Sequence, residues 1–414
     1  MPPANLHALR TLCRARPLTS SPRSCRTRRQ TASKAAFPPR SFPAWFVRGG
    51  TSNGLVIRRH DLPPEDQWPS VLPSAMGSPD PGSGRQLNGM GSGLSSTSKV
   101  VVLGPPSRAD VDVDFTFVQV GIRDGVLDKA GNCGNMSSVV GPAAWDQGLV
   151  GPETATVETD LGGRRWATVR IFNTNTSKVM VSRFRVSGEP ARYAPEGEYA
   201  VDGVPGTGSV ITMSFVDPAG AKTGRALPTG APVDTLELPG GSRVRASLVD
   251  VGNPGVFVST RGLGLDRAAS SALTPAAIEA DAALKARLEE IRRAGTAKMG
   301  LDPDVESVPK IVLLFPGGDT PDGVDIRCVA MSMGQAHRAV PLTLALCLGA
   351  SARIPGTLAA DLVAARPGGI RDDAVTIAHP SGKLDVGTEV KDGNILSAKL
   401  LRTARVLMKG DVYY

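Results

Sequence analysis

Acidic side chains are missing from the first sixty positions of this chain. No Asp or Glu lies between Met1 and His60, while Arg10, Arg14, Arg16, Arg23, Arg26, Arg28, Arg29, Lys34 and Arg40 all fall in the first forty. The net charge of +8 over 414 residues is therefore largely a property of this leader. The rest of the chain has no stripe of Lys and Arg interleaved with aromatics, which sets nucleic-acid binding aside. A leader rich in Arg, Ser and Pro and free of acid has the composition of an organelle transit peptide. A mitochondrial location is thus expected for residues 1–41, with a disordered basic extension on a cytoplasmic protein as the alternative.

Long apolar runs are also missing. The best, Val340 to Ala350, falls short of the roughly 18 residues that span a bilayer, so no membrane partner is expected. Histidine is scarce: His7, His60, His337 and His379 are too scattered for a His-based metal cluster, and no metal or organic cofactor is expected. The five cysteines include two in the leader, Cys13 and Cys25. Cys133, Cys328 and Cys347 form an odd set without a CxxC, which excludes a disulfide framework and a zinc site. Aromatics are only 4% of the chain, whereas Gly numbers 47 and Pro 34, a balance of many turns and short strands rather than long helices.

Folded sequence begins near Phe42. Ala44–Val47 and Gly54–Ile57 read as strands around the polar turn from Arg48 to Asn53, and Pro63–Leu72 as a short helix. Met76–Ser98, rich in Gly and Ser, reads as a loop. Strands are expected at Lys99–Leu103, Asp112–Val120, Thr168–Phe172, Val179–Arg185, Val210–Phe215, Arg243–Val249 and Pro309–Leu314. Helical spacing marks Gly134–Gly148 and Ala276–Ala294, the latter with Glu279, Asp281, Lys285 and Arg292 on its wetter face. Ala339–Leu348 is a buried helix. Each half thus offers several short strands and a central helix entered through a polar Gly-containing turn. The expected architecture is α+β, two pseudo-duplicated halves (42–200 and 201–390) with a ligand cleft between them.

One turn stands out. In Gly131-Asn-Cys-Gly-Asn135 a thiol sits at the mouth of a helix, where free N–H groups and the helix dipole stabilise a thiolate and can hold a substrate carboxylate. A thiol that merely packs is the competing reading, and the flanking Asn residues argue against it. Lys99 opens an apolar strand beside a hydroxyl-rich loop. Desolvation there could make it a base, but these residues alone favour an ordinary strand-edge lysine. Arg48-Gly-Gly-Thr-Ser52 and Ser95-Ser-Thr-Ser98 suit carboxylate recognition, or equally Ser/Thr turns that satisfy their own backbone. Gly89-Met-Gly-Ser-Gly93 lacks the spacing of a nucleotide loop. In the second half, Gly252-Asn-Pro-Gly255 and Ser332-Met-Gly-Gln-Ala-His337 are placed to close a site from the other side, with His337 equally suited to capping its helix. Cys328 and Cys347 lie in apolar runs and should pack.

Taken together these runs resemble the PrpF-like isomerases, which share the diaminopimelate-epimerase fold. The resemblance rests on Phe46-Val-Arg-Gly-Gly-Thr-Ser52, Ser96-Thr-Ser-Lys-Val-Val-Val102, Gly131-Asn-Cys-Gly-Asn-Met-Ser137, Asn173-Thr-Asn-Thr176, Val204-Pro-Gly-Thr-Gly208, Gly252-Asn-Pro-Gly255, Ala330-Met-Ser-Met333, Ala352-Arg-Ile-Pro-Gly356, His379-Pro-Ser-Gly382 and Arg402-Thr-Ala-Arg405. It implies each half is a curved sheet around a buried helix, with residues 391–414 returning to the first domain. It also implies a cofactor-independent proton shift on an unsaturated polycarboxylate such as 2-methylaconitate or aconitate. Lys99 and Cys133 fall on the family's acid–base pair, which reverses the reading of Lys99 from residues alone. Arg48, Thr51, Ser52, Ser96, Thr97, Asn132, Gly134, Asn135, Asn253, Ser332, Met333 and His337 are the expected substrate contacts. One departure is Asn53, where the family often carries Lys, so substrate cannot simply be transferred. Partners expected are the polycarboxylate, a homodimer and a functional link to an aconitase-like dehydratase. Three alternatives stand beside this: a two-cysteine epimerase, a non-catalytic partner of such a dehydratase, and an isomerase of a larger alkylcitrate-derived acid.

Overall fold

Alternation decides where the strands form. In Arg165–Asn173 and Lys178–Ser187 the side chains of Ala167, Val169, Ile171, Met180, Ser182, Phe184 and Val186 are buried and their neighbours are wetter. That is the period of two of a sheet with one face on a core. The computed structural model describes residues 40–414 except 267–269, 271–272, 317–322, 366–373 and 392–393. The expected leader lies outside the described residues but for its last two, and Ser41 already opens the first strand.

The principal strands are β1 (Ser41–Gly49), β2 (Ser52–Arg58), β3 (Lys99–Gly104), β4 (Val113–Val120), β5 (Arg165–Asn173), β6 (Lys178–Ser187), β7 (Ile211–Val216), β8 (Arg243–Val251), β9 (Asn253–Ser259), β10 (Lys310–Pro316), β11 (Ile326–Ser332), β12 (Ala374–His379), β13 (Gly382–Lys391), β14 (Asn394–Arg402) and β15 (Ala404–Tyr413). Helices are α1 (Trp68–Met76), α2 (Gly134–Asp146), α3 (Pro275–Ala280), α4 (Ala282–Lys298), α5 (Leu342–Ser351) and α6 (Leu358–Ala364).

The pairing pattern repeats. β1–β2 is antiparallel, β2–β3 parallel, β3–β4 antiparallel, β4–β5 parallel and β5–β6 antiparallel. β8–β9, β9–β10, β10–β11, β11–β12 and β12–β13 run through the same five relations in the same order. Both central helices follow the fourth strand of their repeat: α2 after β4, α5 after β11. β7 pairs with β6 and β14, and β14 with β13, so one ladder passes through both repeats. β15 crosses back to pair with β1.

The two central helices are buried all round. From Gly134 to Trp145 every residue of α2 is buried, as is every residue of α5. Such helices cannot form a one-sided stripe and must be wrapped by sheet. One core joins Met136, Val139 and Val140 of α2, Leu344, Leu346 and Leu348 of α5, and the inward residues of both sheets. Each fully buried Val, Leu or Met contributes on the order of 1.5–3 kcal/mol. The outer faces of β3 and β10 are covered separately, by α1 and by α4 respectively.

Four expectations shift. The first helix runs from Trp68, past the prolines at 63 and 64, with Pro69 in its first turn, where a missing N–H costs nothing. The helix expected over Ala276–Ala294 is broken at Asp281, whose carboxylate leaves α3 to accept from Leu284 N–H and cap α4. Arg292, expected on the wet face, is buried and donates to Glu289 and to the carbonyls of Pro303 and Val305. The last central helix starts at Leu342, one residue after Pro341.

Candidate active site

Strand alternation aims Lys99. Residues two apart share a face. Val101 and Leu103 pack into the core around α2, while Val100 and Val102 pack toward α1. Lys99 therefore points to the α2 side and is buried, with about 8% of its surface exposed. Its ammonium donates to Gln119 Oε1 at 2.6 Å, its cross-strand neighbour on β4, and lies 5.1 Å from the Phe117 ring centre. Gln119 is itself fixed: its amide N donates to the carbonyls of Ser95 and Ser98 at 3.1 and 2.8 Å.

Cys133 is the N-cap of α2, in extended conformation, and partly accessible. Ser137 N–H makes the first bond of the helix, to the Cys133 carbonyl at 2.8 Å, leaving the N–H groups before it directed at the chamber. The turn is gripped from the second repeat. Asn253 accepts from Asn132 N–H at 3.2 Å and donates to the Asn132 carbonyl at 2.8 Å and to Thr343 Oγ1 at 3.2 Å. Gly134 has no room for a side chain, since a Cβ there would stand 3.0 Å from Leu342. The N-termini of α2 and α5 thus meet.

Around these groups is one chamber, lined by Ser52, Ser95, Lys99, Phe117, Gln119, Gly131–Asn135, Ser307, Lys310, Ser332, Met333, His337 and Pro341–Thr343. Its lining holds two lysines, a histidine and two helix N-termini, and neither Asp nor Glu. Its charge suits an anion, and with about 30 Å³ of free space it takes only part of a polycarboxylate, the rest reaching outward. Ser95 and His337 also border an outer vestibule of about 380 Å³, with Thr51, Ser96, Gly203, Glu279, Arg338 and Ser381.

Burial lowers the Lys99 pKa below 10.5, opposed by the charge and hydrogen-bonding contact of Cys133 and by the charge of Asp128. Burial first, and then the charge of Lys99, push Lys310 down to about 8. Burial holds His337 at about 4, and its Nδ1 accepts from Ala339 N–H at 3.1 Å. The ring is therefore neutral at pH 7 with its proton on Nε2, a donor.

The expected contacts divide. Ser52, Asn132, Gly134, Asn135, Ser332, Met333 and His337 line the chamber; Thr51 and Ser96 line the vestibule. Asn132 shapes the turn rather than offering a free donor: its side chain turns to Ser137 and Met180 and its N–H to Asn253. Asn135 donates to Thr51 and Ser52. Arg48, Thr97 and Asn253 line neither space. The Arg48 guanidinium is spent on Gly50 and Thr403, which tie the β1–β2 turn to the last strands. Thr97 is turned to Ser92 and to the Leu94 carbonyl. Asn253 acts behind the turn rather than on its surface. Cys328 and Cys347 are fully buried, and burial pushes both thiols up, Cys328 to about 12.

Sequence reasoning missed Gln119, Ser307, Lys310 and Thr343. It also missed Arg402, a buried guanidinium brought down to about 10 by burial, which donates to Asn135 Oδ1 at 3.2 Å. A signal for Lys310 was present: Lys310-Ile-Val-Leu-Leu314 repeats the pattern of Lys99-Val-Val-Val-Leu103. Among the described residues no group of His, Cys, Asp and Glu is arranged to hold a metal.

Comparison with known proteins finds relatives along nearly all of the described chain. The family model described as PrpF protein matches residues 40–414. The chain is 37% identical to a 3-methylitaconate isomerase of Eubacterium barkeri, over 90% of this chain and 96% of that protein. It is 35% identical to a 2-methyl-aconitate isomerase of Cupriavidus necator, over 90% and 97%. It is 38% identical to a (4E)-oxalomesaconate Delta-isomerase of Novosphingobium sp. strain KA1, again over 90% and 97%. The crystal structure of a methylitaconate-delta-isomerase superposes with a TM-score of 0.70 at 35% identity, covering 91% of this chain and 96% of the other.

Proposed function

Since this chain belongs to the PrpF protein family and is an isomerase of the diaminopimelate-epimerase-like fold, we propose that it shifts a proton across an allylic system in an unsaturated tricarboxylate such as aconitate or 2-methylaconitate, with Lys99 and Cys133 as the acid–base pair. The observation that carries this reading is that a buried amine and a partly accessible thiol, 34 residues apart in sequence, border one chamber, where the charge of Cys133 bears on the Lys99 amine.

The chemistry follows from the lining. Substrate carboxylates rest on the N–H groups at the start of α2 and on hydroxyls from Ser52 and Thr51. One member of the pair removes the allylic proton, and the electron pair spreads into the adjacent carboxylate as a dienolate. The helix N-termini and the His337 Nε2–H stabilise that charge without reorganising. The other member returns a proton to the far carbon, or to the same carbon after bond rotation. The lining residues carry every proton in this scheme, so it needs no cofactor.

A two-cysteine epimerase is disfavoured by position. The N-cap of α5, where a second thiol would face Cys133, is Pro341, and both other described cysteines are sealed in the core. An amino-acid substrate would also need an acid for its ammonium, and the chamber lining offers none.

The test is proton NMR in D2O on a panel of cis-aconitate, trans-aconitate and itaconate. The expected outcome is interconversion of the tricarboxylate isomers with solvent deuterium at the allylic carbon. Absence of both isomerisation and exchange across the panel would refute the assignment.

A further inference from the structure

The repeat that gives the fold its two sheets also gives it a second lysine. Lys99 is the first residue of β3, the strand parallel to β2; Lys310 is the first residue of β10, the strand parallel to β9. Alternation aims them alike. Val312 and Leu314 share the Lys310 face and pack into the core around the central helices, while Ile311 and Leu313 pack toward α4. Both lysines end in the same chamber, one from each half.

Their partners differ. The Lys99 ammonium has Gln119. The Lys310 ammonium donates to the carbonyl of Ser307, three residues back, and forms no ion pair among the described residues. Ser307 lines the chamber too; the residue is about 7% exposed, and its buried hydroxyl has no hydrogen-bond partner among the described residues. A buried hydroxyl left unpaired is destabilising, a cost that bound ligand removes. The segment is held against the catalytic turn, since a Cβ on Gly131 would stand 2.7 Å from the Val308 side chain. An ammonium and an unsatisfied hydroxyl side by side make a carboxylate seat.

We infer that Lys310 and Ser307 bind the carboxylate of the substrate farthest from the reacting carbons, so that Lys310 selects tricarboxylates over dicarboxylates. This rests on the isomerase reading above and adds the residue that sets substrate class. The charged and titratable groups around Lys310 are Lys99, Asp128, Cys133, Arg292 and His337, and the Lys99 charge presses on the Lys310 ammonium.

The experiment compares wild type with Lys310→Met and Lys310→Arg, each checked for a wild-type-like thermal melt. On the pH plateau, Lys310→Met is expected to raise KM for aconitate about ten- to hundredfold. KM for itaconate, which lacks the third carboxylate, changes less than about threefold if this carboxylate alone is lost. Lys310→Arg recovers part of the aconitate KM. Equal losses on both substrates, or no change on either, would overturn the assignment. Calorimetric titration with propane-1,2,3-tricarboxylate and with succinate separates this from failure of the isomerase reading. If wild type turns nothing over but binds the tricarboxylate in a Lys310-dependent way, the seat stands and the reaction is wrong. If wild type turns over aconitate but binds both acids independently of Lys310, the seat is wrong and the reaction stands.

Discussion

Replacing Lys99 by Met should abolish most isomerisation and at the same time make the protein more stable. In the proposed reaction the amine supplies one of the two proton transfers, a contribution on the order of 10²–10⁴ in rate. Met keeps the stem that packs beside Phe117 but can neither accept nor return a proton. The stability change follows from proton linkage. Burial lowers the Lys99 pKa from 10.5, so between the lowered value and 10.5 the unfolded chain binds more protons than the folded one. Stability therefore rises with pH through that window, and below it the folded state bears the full cost of an interred ammonium. Lys99→Met removes that cost, and the melting temperature at neutral pH should rise by a degree or more, roughly 1–3 °C. Gln119 Oε1 loses its donor, which offsets part of the gain. With Lys99 as the base the wild-type rate climbs with pH toward a midpoint below 10.5; with Lys99 as the proton donor it falls through the same midpoint. A pH–rate profile and thermal melts of the two proteins check both halves. A variant that is inactive and also markedly less stable would show that Lys99 is structural.

Cys133→Ser should cut kcat by about 10²–10⁴-fold while leaving substrate affinity within a few-fold. The backbone N–H groups that hold the carboxylate belong to the helix start, which Ser caps at least as well as Cys. The hydroxyl is a far weaker acid and base than the thiol near neutral pH, so the loss falls on the chemical step. Deuterium exchange then assigns direction. If Cys133→Ser still washes the allylic proton into solvent without forming the other isomer, Lys99 is the base and Cys133 the donor. If instead Lys99→Met retains that exchange, the roles are reversed. Single-turnover NMR in D2O on both variants reads this directly. Wild-type-like turnover by Cys133→Ser would remove the thiol from the mechanism.

What was legible in the sequence was whatever a local pattern dictates. Alternation located β3 to β8 and β10 to within a few residues, and helical spacing located α2, because burial on a sheet or within a sheet imposes those periods. Helix ends were less legible. Asp281 as a cap and Pro341 as a starting point are single-residue events inside an otherwise apolar-periodic run. The site divided on the same line. Cys133 was readable because its setting is local: a Gly-Asn turn before a helix. Lys99 was not, since an exposed edge lysine and a buried one look alike until α2 and β4 are packed around it. Arg48 misled for the matching reason. Its guanidinium is satisfied by Thr403, 355 residues away, a partner that no local reading supplies. Lys310 lay in plain view as a repeat of the Lys99 pattern, visible only once the two halves are aligned strand by strand.

The last strand lies along the first. β15 is hydrogen-bonded to β1 over its length, Tyr414 N–H donates to the Arg40 carbonyl at 3.0 Å, and the rings of Phe42 and Tyr414 lie 5.5 Å apart. Positions 40 and 414 are thus neighbours, far apart in synthesis order but side by side in space. A circular permutant that splices 414 to 40 through a few glycines, and opens instead at the exposed turn near Gly162 and Gly163, should fold to the same chamber. The order in which its strands emerge would be rearranged, while its reacting groups would be untouched.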